Sequence, residues 1–461
     1  MLNRTIYLKD PTINKIKNEG YVVVKDKLTP KEQETLRYEL ETFVCDGEYA
    51  RGLARILETF RNNVYESEQP GVWVSGFYGS GKSHLVKMLK TLWTDYTFPE
   101  DNATARGLAK LPDSIKDTLK EISTLGNREG GLHAASGTLG SGAGDQVRLT
   151  LLGIIFKSLG FAEQYPIACF ELWLKEQGYY EMVKSAVENE GKDWQYELSN
   201  LYVSPLISKA LLNVYPDFAE SASKVRELLK VQFSKVTDVT NDQMKTVIER
   251  ALKSMYGKFP LTLVVLDEIQ QFIGQNQDRS MAIQEMVETC CKAFGGKLMF
   301  VGTGQTAMAG TPLLGRLKGR FPVAVELSDT DVNRVIRQVI LPKKPDHTPQ
   351  IDAIMTQNIG EISRHLSGTR IEHIHEDTEV FVADYPILPV RRRFWEKTLQ
   401  ALDQAGTAGQ LRNQLRVVHE AACATAELPL GTVVGGDFIF DQIVSNLLQT
   451  EIGRASCRER V

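Results

Sequence analysis

The stretch that decides the fold is 71-GVWVSGFYGSGKSHLVKML-89. Val72, Trp73 and Val74 read as a short buried strand, and Gly76 to Ser83 matches G-x-x-x-x-G-K-[ST] in full. Leu85, Leu89 and Leu92 then recur at helical spacing. Glycines between a strand and a helix let the backbone curl until successive N–H groups face one point. The helix N-terminus adds the positive end of its dipole. Such a loop holds phosphate. Gly76, Tyr78, Gly79, Ser80, Gly81, Lys82, Ser83 and His84 are the candidate nucleotide-binding residues. Lys82 would reach the β- and γ-phosphates of ATP, and Ser83 would ligate Mg²⁺.

A hydrolase needs two further groups, an acid for the metal and a base for the attacking water. The apolar run Leu261 to Leu266 ends at Asp267-Glu268. Asp267 would hold Mg²⁺ through water, and Glu268 would orient and deprotonate the nucleophile. Two acidic residues after a strand mean little alone. Downstream of a complete phosphate loop they point to hydrolysis.

The next predicted strand, Lys297 to Val301, runs into Gly302-Thr303-Gly304-Gln305. In P-loop ATPases with a strand inserted between the two phosphate-site strands, a polar residue here contacts the γ-phosphate or the water. Gln305 is favoured over Thr303, and a turn with a satisfied amide is the alternative. Arg316 and Arg320 precede a third short strand, Pro322 to Leu327. An arginine there can reach the nucleotide of a neighbouring subunit. Arg320 is the better placed, and a solvated basic turn is the alternative.

With 461 residues the chain has room for two or three domains of roughly 150 residues. Hydrophobic residues at 42% and charged residues at 24% describe ordinary globular composition. A net charge of −4 exerts no global pull on nucleic acid or anionic membrane, so DNA contact would need a local basic patch. Arg391-Arg392-Arg393 is one candidate for it, with a solvated helix face as the other reading. The six cysteines make no C-x-x-C pair, and no apolar run is long enough to span a bilayer. The expectation is a cytoplasmic protein with no membrane partner. His373 and His375 lack a third ligand at metal spacing.

Residues 1–66 read as a strand-rich entry followed by helices, with Pro30 at a first helical position. A P-loop core is expected over 67–327, with a helical insertion at about 146–256, and a helical lid over 328–450. Residues 126–145, rich in Gly, Ser and Ala, read as a flexible surface loop. Strands alternating with helices predict an α/β fold, a parallel sheet flanked by helices, followed by an all-α domain. The run 452-IGRASCRERV-461 back-translates into a string resembling a sequencing-library adapter read in frame. Residues 451–461 are therefore read as a non-native tail and set aside, with the natural chain expected to continue.

The order of elements resembles an AAA+ ATPase of the initiator-like, helical-lid kind. Gly409-Gln410-Leu411-Arg412, followed by Leu415, Val418 and Ala422, resembles its sensor-2 helix, in which an arginine touches the bound phosphates; here that is Arg412. The stretches 38-YELETFVCDGEYARGLARIL-57, 71-GVWVSGFYGSGKSHLVKMLKTLW-93, 261-LTLVVLDEIQQFIG-274 and 391-RRRFWEKTLQALDQAGTAGQLRNQLRVVHEA-421 are more specific. They resemble the P-loop ATPase of bacterial BREX phage-defence systems, the BrxC/PglY family, over essentially residues 1–450. Members of that family are much longer, so the resemblance implies that this chain is their ATPase module. It also implies a homo-oligomer working with other BREX components in antiviral defence, with DNA an open partner. A nucleotide-gated DNA- or partner-binding switch of the initiator or STAND kind, with little turnover, is the competing expectation.

Overall fold

The computed structural model describes residues 1–14, 28–76, 80–139, 146–307, 312–327, 330–364, 366–402, 411–438 and 440–441. The fold is α/β. Five parallel strands, β1 (Val72–Gly76), β2 (Leu132–Thr138), β3 (Leu261–Asp267), β4 (Leu298–Gly304) and β5 (Val323–Leu327), form one sheet in the order β2-β3-β4-β1-β5. β4 lies between β3 and β1, with Val301 opposite both Val265 and Val72. β5 closes the far edge, Val72 opposite Val323.

Parallel strands covered on both faces read as unbroken apolar runs. Alternate residues nevertheless enter different cores. Val72, Val74, Leu263, Val265, Met299 and Val301 pack on one face, against helices α1 (Pro30–Glu41), α2 (Gly47–Asn63) and α3 (Lys82–Thr94). Trp73, Val264, Leu266 and Phe300 pack on the other, against the helices Val147–Ser158, Asn241–Tyr256 and Gln277–Ala293. Trp73 has no exposed surface, and such burial stabilises by roughly 2–3 kcal/mol.

Helix α2 carries its apolar stripe at Tyr49, Leu53, Ile56, Leu57 and Phe60, which is one face at 3.6 residues per turn. Asp46 caps it by accepting the Gly47 N–H at 2.7 Å. Thr29 and Glu32 close a reciprocal capping box at the start of α1, followed by Pro30.

The strand β2 lies inside the run expected to be a loop. Leu132 to Thr138 pairs with β3 along its length, Leu132 opposite Leu261 and Thr138 opposite Asp267. Its sequence, LHAASGT, is rich in small residues because helices press on both faces. A Cβ at Gly137 would stand 2.6 Å from Ile154. Close packing, not flexibility, selected that composition.

Seven α-helices and a short 3-10 helix, from Val147 to Tyr256, connect β2 to β3. The first and last pack on the sheet. The middle ones enclose a core of their own around Phe170, Val183, Trp194, Leu211 and Phe233.

After β5 the chain is helical, around Ile336, Ile351, Phe381, Trp395, Val418 and Ala422. The first residues of the chain join this unit. Residues Asn3–Ile6 form a 3-10 helix instead of the strand expected there, and Ile6 and Tyr7 are buried in the C-terminal core. The Asn3 N–H donates to the Leu428 carbonyl at 2.9 Å, and the Asn3 side-chain amide donates to the Thr432 carbonyl at 2.9 Å. Residues 1–14 thus belong to the helical unit and residues 30–63 to the sheet. Among the described residues, no helix is long and apolar enough to cross a membrane.

Candidate nucleotide site

Parallel strands put the ends of β1, β3 and β4 along one edge of the sheet, and the phosphate-loop residues start there. Phe77, Tyr78 and Gly79 lie outside the described residues. Gly76 ends β1, and a Cβ on it would stand 2.4 Å from the Ser80 hydroxyl and 2.8 Å from the Leu327 carbonyl, so no larger residue fits. Gly81 has φ 84 and ψ 15, the left-handed conformation that turns the chain into α3. Its carbonyl accepts the first helical bond, from the Leu85 N–H at 2.8 Å.

Lys82 and Ser83 occupy the first turn of α3. The Lys82 ammonium donates to the Gly76 carbonyl at 2.7 Å, so its stem folds back across the loop. Burial lowers the Lys82 pKa, while the charges of Asp267 and Glu268 oppose that fall. His84 meets the Phe43 ring edge-on at 5.7 Å between centroids.

At the end of β3 the acids are fixed by β4. The Thr303 hydroxyl donates to Asp267 Oδ1, and Thr303 Oγ1 accepts the Glu268 N–H at 3.0 Å. Asp267 Oδ1 also accepts that N–H, at 3.1 Å. Glu268 is left-handed, φ 58 and ψ 31, a conformation costing a non-glycine residue on the order of 1 kcal/mol and concentrated at functional sites. Its carboxyl pKa is raised, by burial first and by the Asp267 charge second. A carboxylate so placed is a better proton acceptor than free glutamate.

Gln305 is exposed, and its N–H donates to Gln270 Oε1 at 2.7 Å. The Thr306 N–H donates to the same oxygen at 3.0 Å, while the Thr306 carbonyl accepts the Trp73 indole N–H at 3.1 Å. One turn is thereby fastened to the helix Ile269–Ile273 and to β1. Of the two polar residues there, Thr303 is the one whose side chain engages the acids.

The remaining expected residues are three arginines. Arg320 is at the opposite edge of the sheet, where its carbonyl accepts the Gly71 N–H at 3.0 Å just before β1 begins. Its guanidinium pairs with Glu288 at 2.7 Å and Glu68 at 3.4 Å. Arg316 is exposed on the helix Pro312–Leu317. Arg412 is the second residue of the helix Leu411–Thr425, whose Val418 and Ala422 are buried; its side chain lies outside the described residues.

The arginine triplet is spent internally. Arg392, 5% exposed, holds Asp384 and Glu396, each at 3.1 Å. Arg393 pairs with Asp377, and Arg391 donates to the Val434 carbonyl. His373 is bound to Asp377 at 3.2 Å and stacks on Phe381.

Ser83 and Asp267 offer a hydroxyl and a carboxylate, the hard oxygen donors that Mg²⁺ takes when phosphate and water complete its shell. With Lys82 beside Ser83 in the first turn of α3, the donor set fits a magnesium nucleotide. Among the described residues, no group of three or more His, Cys, Asp or Glu side chains could hold a metal alone.

No family model matches the chain. It is similar to a solved structure described as Drosophila ORC bound to DNA, at 12% identity, over 96% of this chain and 73% of that one, with a TM-score of 0.31. A likeness at that score carries no weight for fold or activity.

Proposed function

We propose that this chain is a Mg²⁺-dependent ATPase of the AAA+, initiator-like kind. One observation carries the reading: a phosphate loop, an acid pair and a hydroxyl stand at the same ends of β1, β3 and β4, with β4 inserted between the other two. Gly76 to Ser83 bind the phosphates, Lys82 neutralises their charge, and Asp267 with Ser83 holds the metal. The ion, when bound, offsets charge on the phosphate oxygens. Glu268 takes the proton of the attacking water, with Thr303 fixing its backbone. Arg412 and Gln305 are the further candidates for contact with the γ-phosphate.

Arg320 lies at the other edge of the sheet from its own phosphate loop, so it would serve the nucleotide of a second copy. The chain is accordingly read as part of a homo-oligomer. A role in BREX phage defence, with other components of that system and DNA as partners, rests on the four stretches resembling the BrxC/PglY family.

A second reading has its own support. Arg320 is already held by two carboxylates, which favours a nucleotide-gated switch with slow turnover until assembly breaks those pairs. ATP hydrolysis by the full chain over a range of protein concentrations separates the two, with Lys82→Ala as control. Specific activity that climbs with concentration and vanishes in the variant is the expected result. A flat, near-zero rate with ATP binding intact would leave the switch.

A further inference from the structure

The phosphate loop has a support that no spacing rule names. The Tyr49 hydroxyl, carried on α2, donates to the Ser80 carbonyl at 2.6 Å, and the bond is buried. Tyr49 is 4% exposed and Ser80 is 1% exposed. The Ser80 carbonyl and the Gly81 N–H belong to one peptide unit. In a planar trans peptide these two groups point in opposite directions. A donor that fixes the carbonyl from the α2 side therefore fixes where the N–H aims, away from α2. That N–H is the last of the loop before Lys82, at the head of α3, where a phosphate would bind.

Gly81 makes the orientation a real variable. Its left-handed φ of 84 depends on a residue without a Cβ, and a glycine on one side lets the peptide plane turn at low cost. Without the Tyr49 bond the unit would be free to present its carbonyl instead, which repels phosphate. Such a preset orientation also removes an ordering cost from binding.

We propose that Tyr49 is a positioning residue for phosphate, acting through the Ser80–Gly81 peptide; the inference rests on the nucleotide-binding reading above. Its action is on the phosphate and not on the base or on chemistry. Three consequences separate it from a packing role. Tyr49→Phe keeps the ring and removes only the donor, so it should weaken ATP and inorganic pyrophosphate by the same factor, about tenfold for one lost buried hydrogen bond. It should leave kcat at saturating ATP close to that of the unaltered chain. It should also speed amide exchange at Gly81 and Lys82 in the nucleotide-free protein, with the sheet unchanged.

The test is titration calorimetry of the full chain with MgATP and with magnesium pyrophosphate, plus hydrogen exchange. It is run well below the melting temperature of each variant, so that a less stable variant is still measured folded. Thr59→Val, which removes another α2 hydroxyl bonded within its own helix, is the control and should bind like the unaltered chain. Equal affinities for Tyr49→Phe and the unaltered chain would overturn the proposal. So would an exchange increase spread evenly over α3 and the sheet, which is the mark of general loosening. If the unaltered chain binds neither ligand, the nucleotide reading fails first and the proposal falls with it.

Discussion

Gln270 Oε1 accepts two consecutive backbone N–H groups, those of Gln305 and Thr306, across the gap between the helix after β3 and the turn after β4. Gln270 is two residues beyond Glu268, so the turn that would face the γ-phosphate and the helix that carries the base move together. The bond can only be made by an acceptor, which fixes the amide orientation. Gln270→Ala should lower kcat about tenfold, on the order of 1.4 kcal/mol, with KM for ATP little changed. Gln270→Glu retains an acceptor and should recover most of the rate. A loss confined to KM would place the turn in ground-state binding instead.

Glu268 combines strain with chemistry, and two substitutions separate them. Glu268→Gln should reduce hydrolysis by about a hundredfold or more while ATP still binds. Glu268→Gly should be equally inactive, yet more stable by about 1 kcal/mol because glycine accepts φ 58 without cost. Thermal unfolding of both variants reads this directly. The raised carboxyl pKa adds a pH signature. A base works only deprotonated, so the acid limb of kcat/KM should lie above the ordinary glutamate value. A limb at or below that value would assign the titration to another group.

His133 is a pH liability on β2. It is 3% exposed, bonded to Tyr256 at 3.0 Å and Ser158 at 2.9 Å, and burial with nearby Lys90 pushes its pKa down from 6.5 to about 3. Below pH 6.5 the unfolded chain binds a proton there that the folded chain refuses. Stability should therefore fall as the pH drops from about 6.5 toward 3. Above 6.5 this histidine contributes no slope. His133→Gln should flatten that part of the profile in urea titrations at successive pH values. An unchanged slope would exclude His133 as its source.

Arg392 tests the fate of the basic triplet. Its guanidinium is almost fully buried between Asp384 and Glu396, so removal takes one of the two arginines from Asp384, which keeps its bidentate pair with Arg337. Arg392→Met should destabilise by about 1–3 kcal/mol, the cost of the lost charge-assisted hydrogen bonds. DNA affinity, if the chain has any, should be lost only as folding is lost. A stable variant with selectively weakened, salt-dependent DNA binding would return the triplet to the surface role.

The legible parts of this fold were those with a one-dimensional pattern. β1, β3, β4 and β5 announce themselves as apolar runs ending in loop motifs, and α2 and α3 as 3.6-residue stripes. β2 did not, because LHAASGT has the small residues of a linker, and only the helices packed on both faces explain them. Within the candidate site, Lys82, Asp267 and Glu268 were singled out by their own chemistry in the sequence. Tyr49 and Gln270 act on backbone groups 31 and 35 residues away, and no spacing rule reports a bond to a carbonyl or amide in another element. Thr303 was weighed and ranked below Gln305, since sequence cannot tell which of two neighbouring polar side chains turns inward. The carboxylates around Arg320 came from residues 68 and 288, joined only by folding.

The burial of Ile6 and Tyr7 among the C-terminal helices has a consequence in time. Asn3 and Thr432 are 429 positions apart. Residues 3–7 must then wait until synthesis has passed residue 432 before they meet their partners. During synthesis they are an unsatisfied apolar peptide, exposed to chaperones and proteases, and contacts of such separation close late. The helical unit, made alone, lacks a piece of its own core. A substitution at Ile6 or Tyr7 would therefore act late, on the closing of that core.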